Sequence, residues 1–215
     1  MPPDPPSRRP LPRRFYGRAT EEVARDLLGC ILWTDTGGEI AAGRIVETEA
    51  YLGEGEDPAS HAHGGPTARA AVMFGPAGVA YVYLIYGMHH CFNVVTGHEG
   101  RGGAVLVRAL EPLVGLDRMW SRRPRCRRAS ELCAGPGRLC RALGIDRSWD
   151  GLPLNISRKR DANLPAPRRV WIANGPSPGR MVATPRVGIR LAHDWLLRFC
   201  DPDSPALSRR LVRGG

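Results

Sequence analysis

The 215-residue sequence predicts a single α+β domain built on a curved, mainly antiparallel sheet, with flanking helices and one protruding β-hairpin. Three observations point there. Long stretches alternate apolar and polar side chains with the period of two that marks strands, and turn residues join them in succession. Helical signals are short and carry their own start and stop residues. The chain shows no internal repeat and no clean linker, and its 42% apolar content suits one buried core.

The elements follow in order. Residues 1–14 (MPPDPPSRRPLPRR) form a Pro- and Arg-rich stretch without an apolar run, expected to be a disordered basic tail. The domain is expected over residues 15–205, with 206–215 frayed. Residues 20–28 read as a helix: Thr20 can cap, Glu21 and Glu22 suit the first turn, and Gly29 ends it. Residues 30–35 and 39–52 read as strands paired about Thr36-Gly37-Gly38, and 53–71 as a polar loop. Residues 79–85 and 89–96 read as the arms of a hairpin with Tyr86-Gly87-Met88 at its tip. A strand is expected over 104–109, and a helix from Glu111-Pro112 through Trp120. Residues 121–128, with five arginines, read as an exposed basic loop. A short helix follows Gly135, residues 150–180 read as largely loop, and 186–191 as a late strand.

Lys and Arg outnumber Asp and Glu by 31 to 21, for a net charge of +10, and Lys159 is the one lysine. Arginine's planar fork suits bidentate phosphate contacts, so a polyanionic partner is one reading. An Arg-rich codon bias is the other. The six cysteines, at 30, 91, 126, 133, 140 and 200, form no CxxC pair and have no histidine at zinc-finger spacing. Reduced thiols in a soluble intracellular protein (cytoplasm or nucleoid) are expected. The longest apolar run, 79–86, falls well short of the roughly 20 residues that span a bilayer, so no membrane association is expected.

Two stretches carry chemistry. In GRIVETEAYLG, residues 43–53, strand alternation puts Glu47, Glu49 and Tyr51 on one face and Val46, Thr48, Ala50 and Leu52 on the other. One apolar face marks a core strand. Two carboxylates and a phenol opposite it make a site wall, or else the solvated side of an edge strand. In AYVYLIYGM, residues 80–88, Tyr81 and Tyr83 share a face and Tyr86 falls in the turn. Clustered aromatics in a basic protein suit base stacking, though core packing is the commoner fate of aromatic strands.

Together these stretches resemble the alkyladenine (3-methyladenine) DNA glycosylase family. RIVETEAYLG, His61, Gly64-Gly65, YVYLIYGM with Asn93, LVRALEP, ELCAGPGRLCRALGI and PRVGI match it in order and spacing over roughly residues 15–200. The resemblance implies an enzyme that flips an alkylated or deaminated purine from duplex DNA and hydrolyses its N-glycosidic bond, with no cofactor and no metal. With Lys159 the one lysine and remote from these motifs, no Schiff base is expected and the abasic site should be left intact; a wedge that bends the duplex works as a monomer, which is the expected state.

Residue by residue, the resemblance makes Glu49 the general base for the attacking water and Arg108 its partner. Tyr51, His61 and Tyr83 would sandwich the flipped base. Asn93 would collide with the exocyclic amine of guanine. Tyr86 would fill the vacated stack, with Met88 and His89 in the groove beside it. His89, His90 and Ala70 depart from residues common in that family, which bears on groove contacts and substrate preference. Two other classes remain open on the residues alone: a non-catalytic nucleic-acid-binding module, and a metal nuclease built from Glu47, Glu49, Asp57 and His61.

Overall fold

The computed structural model describes residues 7–154 and 168–211. Two short helices, α1 (Arg13–Tyr16) and α2 (Thr20–Asp26), lead into β1 (Ile31–Thr36) and the 13-residue β2 (Glu39–Tyr51). Then come β3 (Ala80–Ile85), β4 (His89–Thr96), β5 (Gly103–Val114), α3 (Leu116–Arg122) and α4 (Pro136–Leu143). Three short strands close the chain: β6 (Arg168–Ala173), β7 (Val182–Thr184) and β8 (Arg198–Cys200).

Every strand pairing is antiparallel, in the order β3-β4-β5-β2-β1-β6, with β8 also beside β2 and β7 beside β8. The expected α+β architecture on a curled antiparallel sheet is therefore the observed one. Its main core lies on one sheet face. Val23 and Ala24 of α2, Leu27 just after it, and Leu139, Ala142 and Leu143 of α4 pack there against Val82, Val94, Val105 and Val107. On the other face Ala62, Ala70 and Met73 of the connecting loop meet Tyr81, Val95 and Ala104. That smaller cluster fastens a polar loop to the face that carries the site.

Several expectations need correction. β5 does not stop at Ala109 but continues through Glu111-Pro112, so the next helix starts only at Leu116. A proline is tolerated because Pro112 opposes Gly43 at an irregularity in the β2–β5 register. Gly43 is required there, since a Cβ would stand 2.8 Å from the Glu111 carbonyl oxygen. Residues 186–191 form no strand, whereas β6 lies inside the stretch expected to be loop. Strands of three residues, such as β7 and β8, show too little periodicity to be read; their neighbours define them.

The chain ends also differ from expectation where described. Leu11 is buried and its N–H donates to the Ile172 carbonyl at 2.7 Å, while Trp33 Nε1 donates to the Ser7 carbonyl at 3.1 Å. Residues 7–11 thus lie along β6. Ala206 is buried, and Ser208 reaches the site described next. Residues 1–6, 155–167 (with Lys159) and 212–215 lie outside the described residues.

Candidate active site

Strand register assembles the site. Residues directly opposite in antiparallel strands share a face, and the pairings Tyr81↔Asn93, Asn93↔Leu106, Leu106↔Glu49 and Glu49↔Arg198 run as one row across five strands. β2 is central, with β5 on one side and β1 and β8 on the other, so the edge-strand reading of its glutamates does not hold. Both Glu47 and Glu49 have no accessible surface. The register slips between Ile45 and Thr48, and neither Val46 nor Arg108 has a cross-strand partner. A bulge of this kind re-aims side chains. It sends Val46 to a small cluster with Ala109 and Ala206 and lets Arg108 face the glutamates.

Glu49 accepts from three donors. Val187 N–H reaches Oε1 at 2.7 Å, and the Tyr51 hydroxyl and Arg108 Nη1 reach Oε2 at 2.9 and 3.1 Å. An ionised carboxylate offers about four acceptor positions, so among the described residues one on Oε1 stays free. Glu47 is more heavily held. Its Oε1 accepts from Arg108 Nε, Arg198 Nε and Ser208 Oγ at 3.0, 2.7 and 2.7 Å, and its Oε2 from Ser208 N–H at 2.6 Å. Burial pushes the Glu47 carboxyl up, but Arg108, Arg198 and Ser208 outweigh it and hold the group below the ordinary glutamate range. Glu47 is thus a structural anion that aligns Arg108, whose Nη2 also donates to Ser208 Oγ at 3.2 Å.

In front of these groups lies a cavity of about 650 Å³, lined among others by Tyr51, His61, Tyr83, Asn93 and Arg108. Such a volume suits a small flat ligand with room for neighbouring atoms. Its back wall includes Tyr51, Arg108 and Val187, all three of the residues that bond Glu49. His61 Nδ1 lies 2.9 Å from the Tyr81 hydroxyl, and its ring meets Tyr83 edge-on at 4.7 Å. Partial burial and the nearby Arg69 cation lower the imidazole's pKa, so the ring is neutral at neutral pH. Asn93 spends both amide hydrogens on the carbonyls of Tyr81 and Cys91, at 3.0 and 3.3 Å. This leaves its oxygen held rigidly in the wall.

At the rim, β3 and β4 are joined by Tyr86-Gly87-Met88. Tyr86 and Gly87 have φ of 53° and 69°, the positive pair that a type I′ turn requires. Glycine adopts this freely, whereas a tyrosine there is strained by about 1–2 kcal/mol. Tyr86 and Met88 are 80% and 71% exposed, so an aromatic ring is held out in water at a backbone cost. Such strain is the kind found where function uses it. His89 borders the cavity and packs on α4, where a Cβ on Gly137 would come 3.0 Å from its own. The structure thus brings Tyr51, His61, Tyr83, Asn93 and Arg108 around one cavity, with Glu49 behind its wall and Tyr86 and His89 at its mouth. Met88 is exposed beside them without lining it.

The residues proposed for a metal nuclease do not form a ligand set. Glu47 pairs with Arg108 and Arg198, Glu49 with Arg108, and Asp57 with Arg186, so each carboxylate already faces a guanidinium. Among the described residues no group of three or more His, Cys, Asp or Glu could hold a metal ion, and no helix is long and apolar enough to cross a membrane. All six cysteines are free thiols. Sequence reasoning assigned no role to Arg186, Val187, Arg198 or Ser208. Only the PRVGI motif signalled the first two, and nothing in the local sequence signalled the others.

Comparison with known proteins yields a family and close relatives. Residues 14–205 match the model of the family described as methylpurine-DNA glycosylase. A protein of Methanoculleus marisnigri named "Putative 3-methyladenine DNA glycosylase" is 52% identical over 202 residues, 93% of this chain and 99% of that one. Proteins of the same name from Methanocella arvoryzae and Myxococcus xanthus are 47% and 49% identical, over 93% and 86% of this chain and 96% and 84% of theirs.

Proposed function

This chain belongs to the methylpurine-DNA glycosylase family and is a DNA-repair glycosylase, and from that premise we propose that it flips a damaged purine into the cavity and hydrolyses the bond to its sugar with Glu49 as general base. The observation that carries the reading is a buried carboxylate, bonded by three donors that are themselves cavity wall, with one acceptor position left on Oε1. Glu49 is closed off behind Tyr51, Arg108 and Val187, so this wall must part to admit a water to that position; the water attacks C1′ of the sugar, its proton passes to Glu49, and the C1′–N bond pair leaves with the base. A purine alkylated at N3 or N7 departs neutral because it starts as a cation, so no strong acid is needed; a deaminated purine starts neutral and must take up a proton from solvent as it leaves. The carboxylate also offsets positive charge growing on the sugar. Arg108 holds Glu49 and shields it from Glu47.

Tyr51 takes one face of the base and His61 and Tyr83 the other, with a cation–π component for alkylated rings. Asn93, pinned by two carbonyls, stands against the exocyclic amine of normal guanine. Deaminated purines fit the same slot, since every purine offers a π face. Lesion by lesion, 3-methyladenine-type substrates are read across from the names of the relatives.

The test is a base-release assay on duplexes each holding one defined lesion. Free base and an intact abasic site are expected, with no borohydride-trapped adduct and unchanged rates in EDTA. Inhibition by EDTA reversed by Mg²⁺ or Mn²⁺ would instead establish a metal-dependent reaction, and binding without release would establish a plain DNA-binding module.

Flipping makes a separate prediction for Tyr86. If its ring replaces the flipped base in the stack, Tyr86→Ala should reduce the flipped fraction by roughly 5- to 150-fold, the equivalent of about 1–3 kcal/mol of stacking. Well-paired lesions should suffer more than mismatched ones, which unstack more easily. A lesion whose emission rises when unstacked reports this, and equal flipping by the variant would reduce Tyr86 to a turn residue and move the wedge to Met88 or His89.

A further inference from the structure

Arg186 lies in the 185–191 loop and has no accessible side-chain surface; neither has Asp57, its partner from the loop after β2. Arg186 Nη2 donates to Asp57 Oδ1 at 2.8 Å and Nη1 to Oδ2, a two-pronged pair, while Nη1 also donates to the Ala50 carbonyl at 3.0 Å. Asp57 is fixed in turn by the N–H groups of Leu52 and Ala59, at 3.1 and 3.0 Å. Two segments distant in sequence, residues 50–59 and the 185–191 loop, therefore meet at one ion pair. A fork of this kind sets orientation as well as distance.

Two neighbours of that pair are parts of the proposed site. The guanidinium carbon of Arg186 stands 4.7 Å above the Tyr51 ring, so one face of this ring is taken and only the other can meet a base. The next residue, Val187, donates its N–H to Glu49 Oε1. Displacing Arg186 would free the ring and withdraw that amide together. The carboxylate of Asp57 also matters to charge. It neutralises a cation that would otherwise oppose a cationic base stacked on the far face of Tyr51.

We propose that Arg186 and Asp57 are a positioning pair which sets the stacking ring Tyr51 and the Glu49–Val187 contact at once; the proposal rests on the glycosylase reading above. Neither residue touches the reacting atoms. Their contribution is geometric, and a displacement of about 1 Å at a reacting centre can cost on the order of 10²-fold in rate.

The test uses Arg186→Gln and, because removing one charge strands a buried partner, the charge-free double variant Asp57→Asn/Arg186→Gln. Single-turnover release of 7-methylguanine is measured with enzyme in excess, alongside hydrogen exchange of the segment holding the Val187 amide. The expected result is a saturating rate lower by about 10²-fold with the half-saturating enzyme concentration within about threefold. Exchange at Val187 should quicken by about tenfold or more while the core strands keep their protection. A merely destabilised protein behaves otherwise: fewer active molecules raise the half-saturating concentration and leave the saturating rate alone. A double variant with the wild-type saturating rate overturns the proposal. If the wild-type protein itself releases no base, the functional reading fails instead. The exchange measurement then decides the structural claim alone, and unchanged protection at Val187 in the double variant overturns it.

Discussion

Glu49→Gln is expected to slow single-turnover release of an alkylated purine by about 10²–10⁴-fold, the usual worth of a general base, while affinity for the damaged duplex stays close to wild type. The side chain keeps its length, and the exposed Tyr86 and Met88, proposed to meet the DNA, are untouched. What changes is the loss of a basic oxygen and of a fixed negative charge beside the sugar. The hydrogen-bond pattern sharpens the expectation. Glu49 receives donors on both oxygens, and a glutamine amide nitrogen can accept none. With its oxygen turned toward Tyr51 and Arg108, its NH₂ would confront the Val187 N–H. Each donor left unsatisfied in a buried place costs about 1–3 kcal/mol, so thermal unfolding should be followed in parallel. A variant that is folded, binds lesion DNA and retains wild-type turnover would remove Glu49 from the mechanism.

Arg108→Met should be strongly destabilising, by about 3–5 kcal/mol, as when one partner of a buried ion pair is removed. For a chain of this size that lowers the melting temperature by roughly 6–20 °C. Methionine fills similar volume, so the loss is mainly electrostatic. Glu47 would keep Arg198 and Ser208, but Glu49 would be left with two neutral donors. The pH dependence has a definite sign. In the native protein the carboxyl of Glu47 is held below its ordinary value of 4.5. It therefore contributes stability that is present above that pH and lost as pH falls through the folded value. Without Arg108 burial is less opposed, the group moves up, and taking a proton relieves the variant. The gap between variant and wild type should be widest near pH 7 and should narrow as pH falls below about 5. A gap of constant size, or no gap, would show that Arg108 is not what stabilises the buried carboxylates.

The central strands were legible because their patterns are long. β2 sets Glu47, Glu49 and Tyr51 against Thr48 and Ala50 within a strand of 13 residues, and a one-residue slip would turn Glu47 and Glu49 into the apolar core. The turn at 86–88 is readable because Gly87 separates two strand-like runs and takes positive φ freely, whereas the positive φ of Tyr86 has no local signal. Composition added only the basic charge, which two readings could explain. By contrast, β6, β7 and β8 carry no strand signal of their own, while 186–191 carries one and forms no strand. These segments take their conformation from partners more than from local pattern. Pro112 points to a helix start because local rules place proline there, whereas a bulge opposite Gly43 absorbs it within β5.

The sequence by itself determined the antiparallel frame, the shared face of Glu47, Glu49 and Tyr51, and the residue types available to stack and to move a proton. Those are properties of neighbours in the chain, and strand geometry transmits them directly. Tertiary structure alone decided which carboxylate is tied down and which keeps a free acceptor. Arg198 and Ser208 lie 151 and 161 residues beyond Glu47 yet both bond it, and Val187 comes 138 residues beyond Glu49 to do the same. Two glutamates two positions apart look alike in a string of letters. They differ because the electrostatics of a buried charge depend on every group within a few ångströms, wherever in the chain it originates.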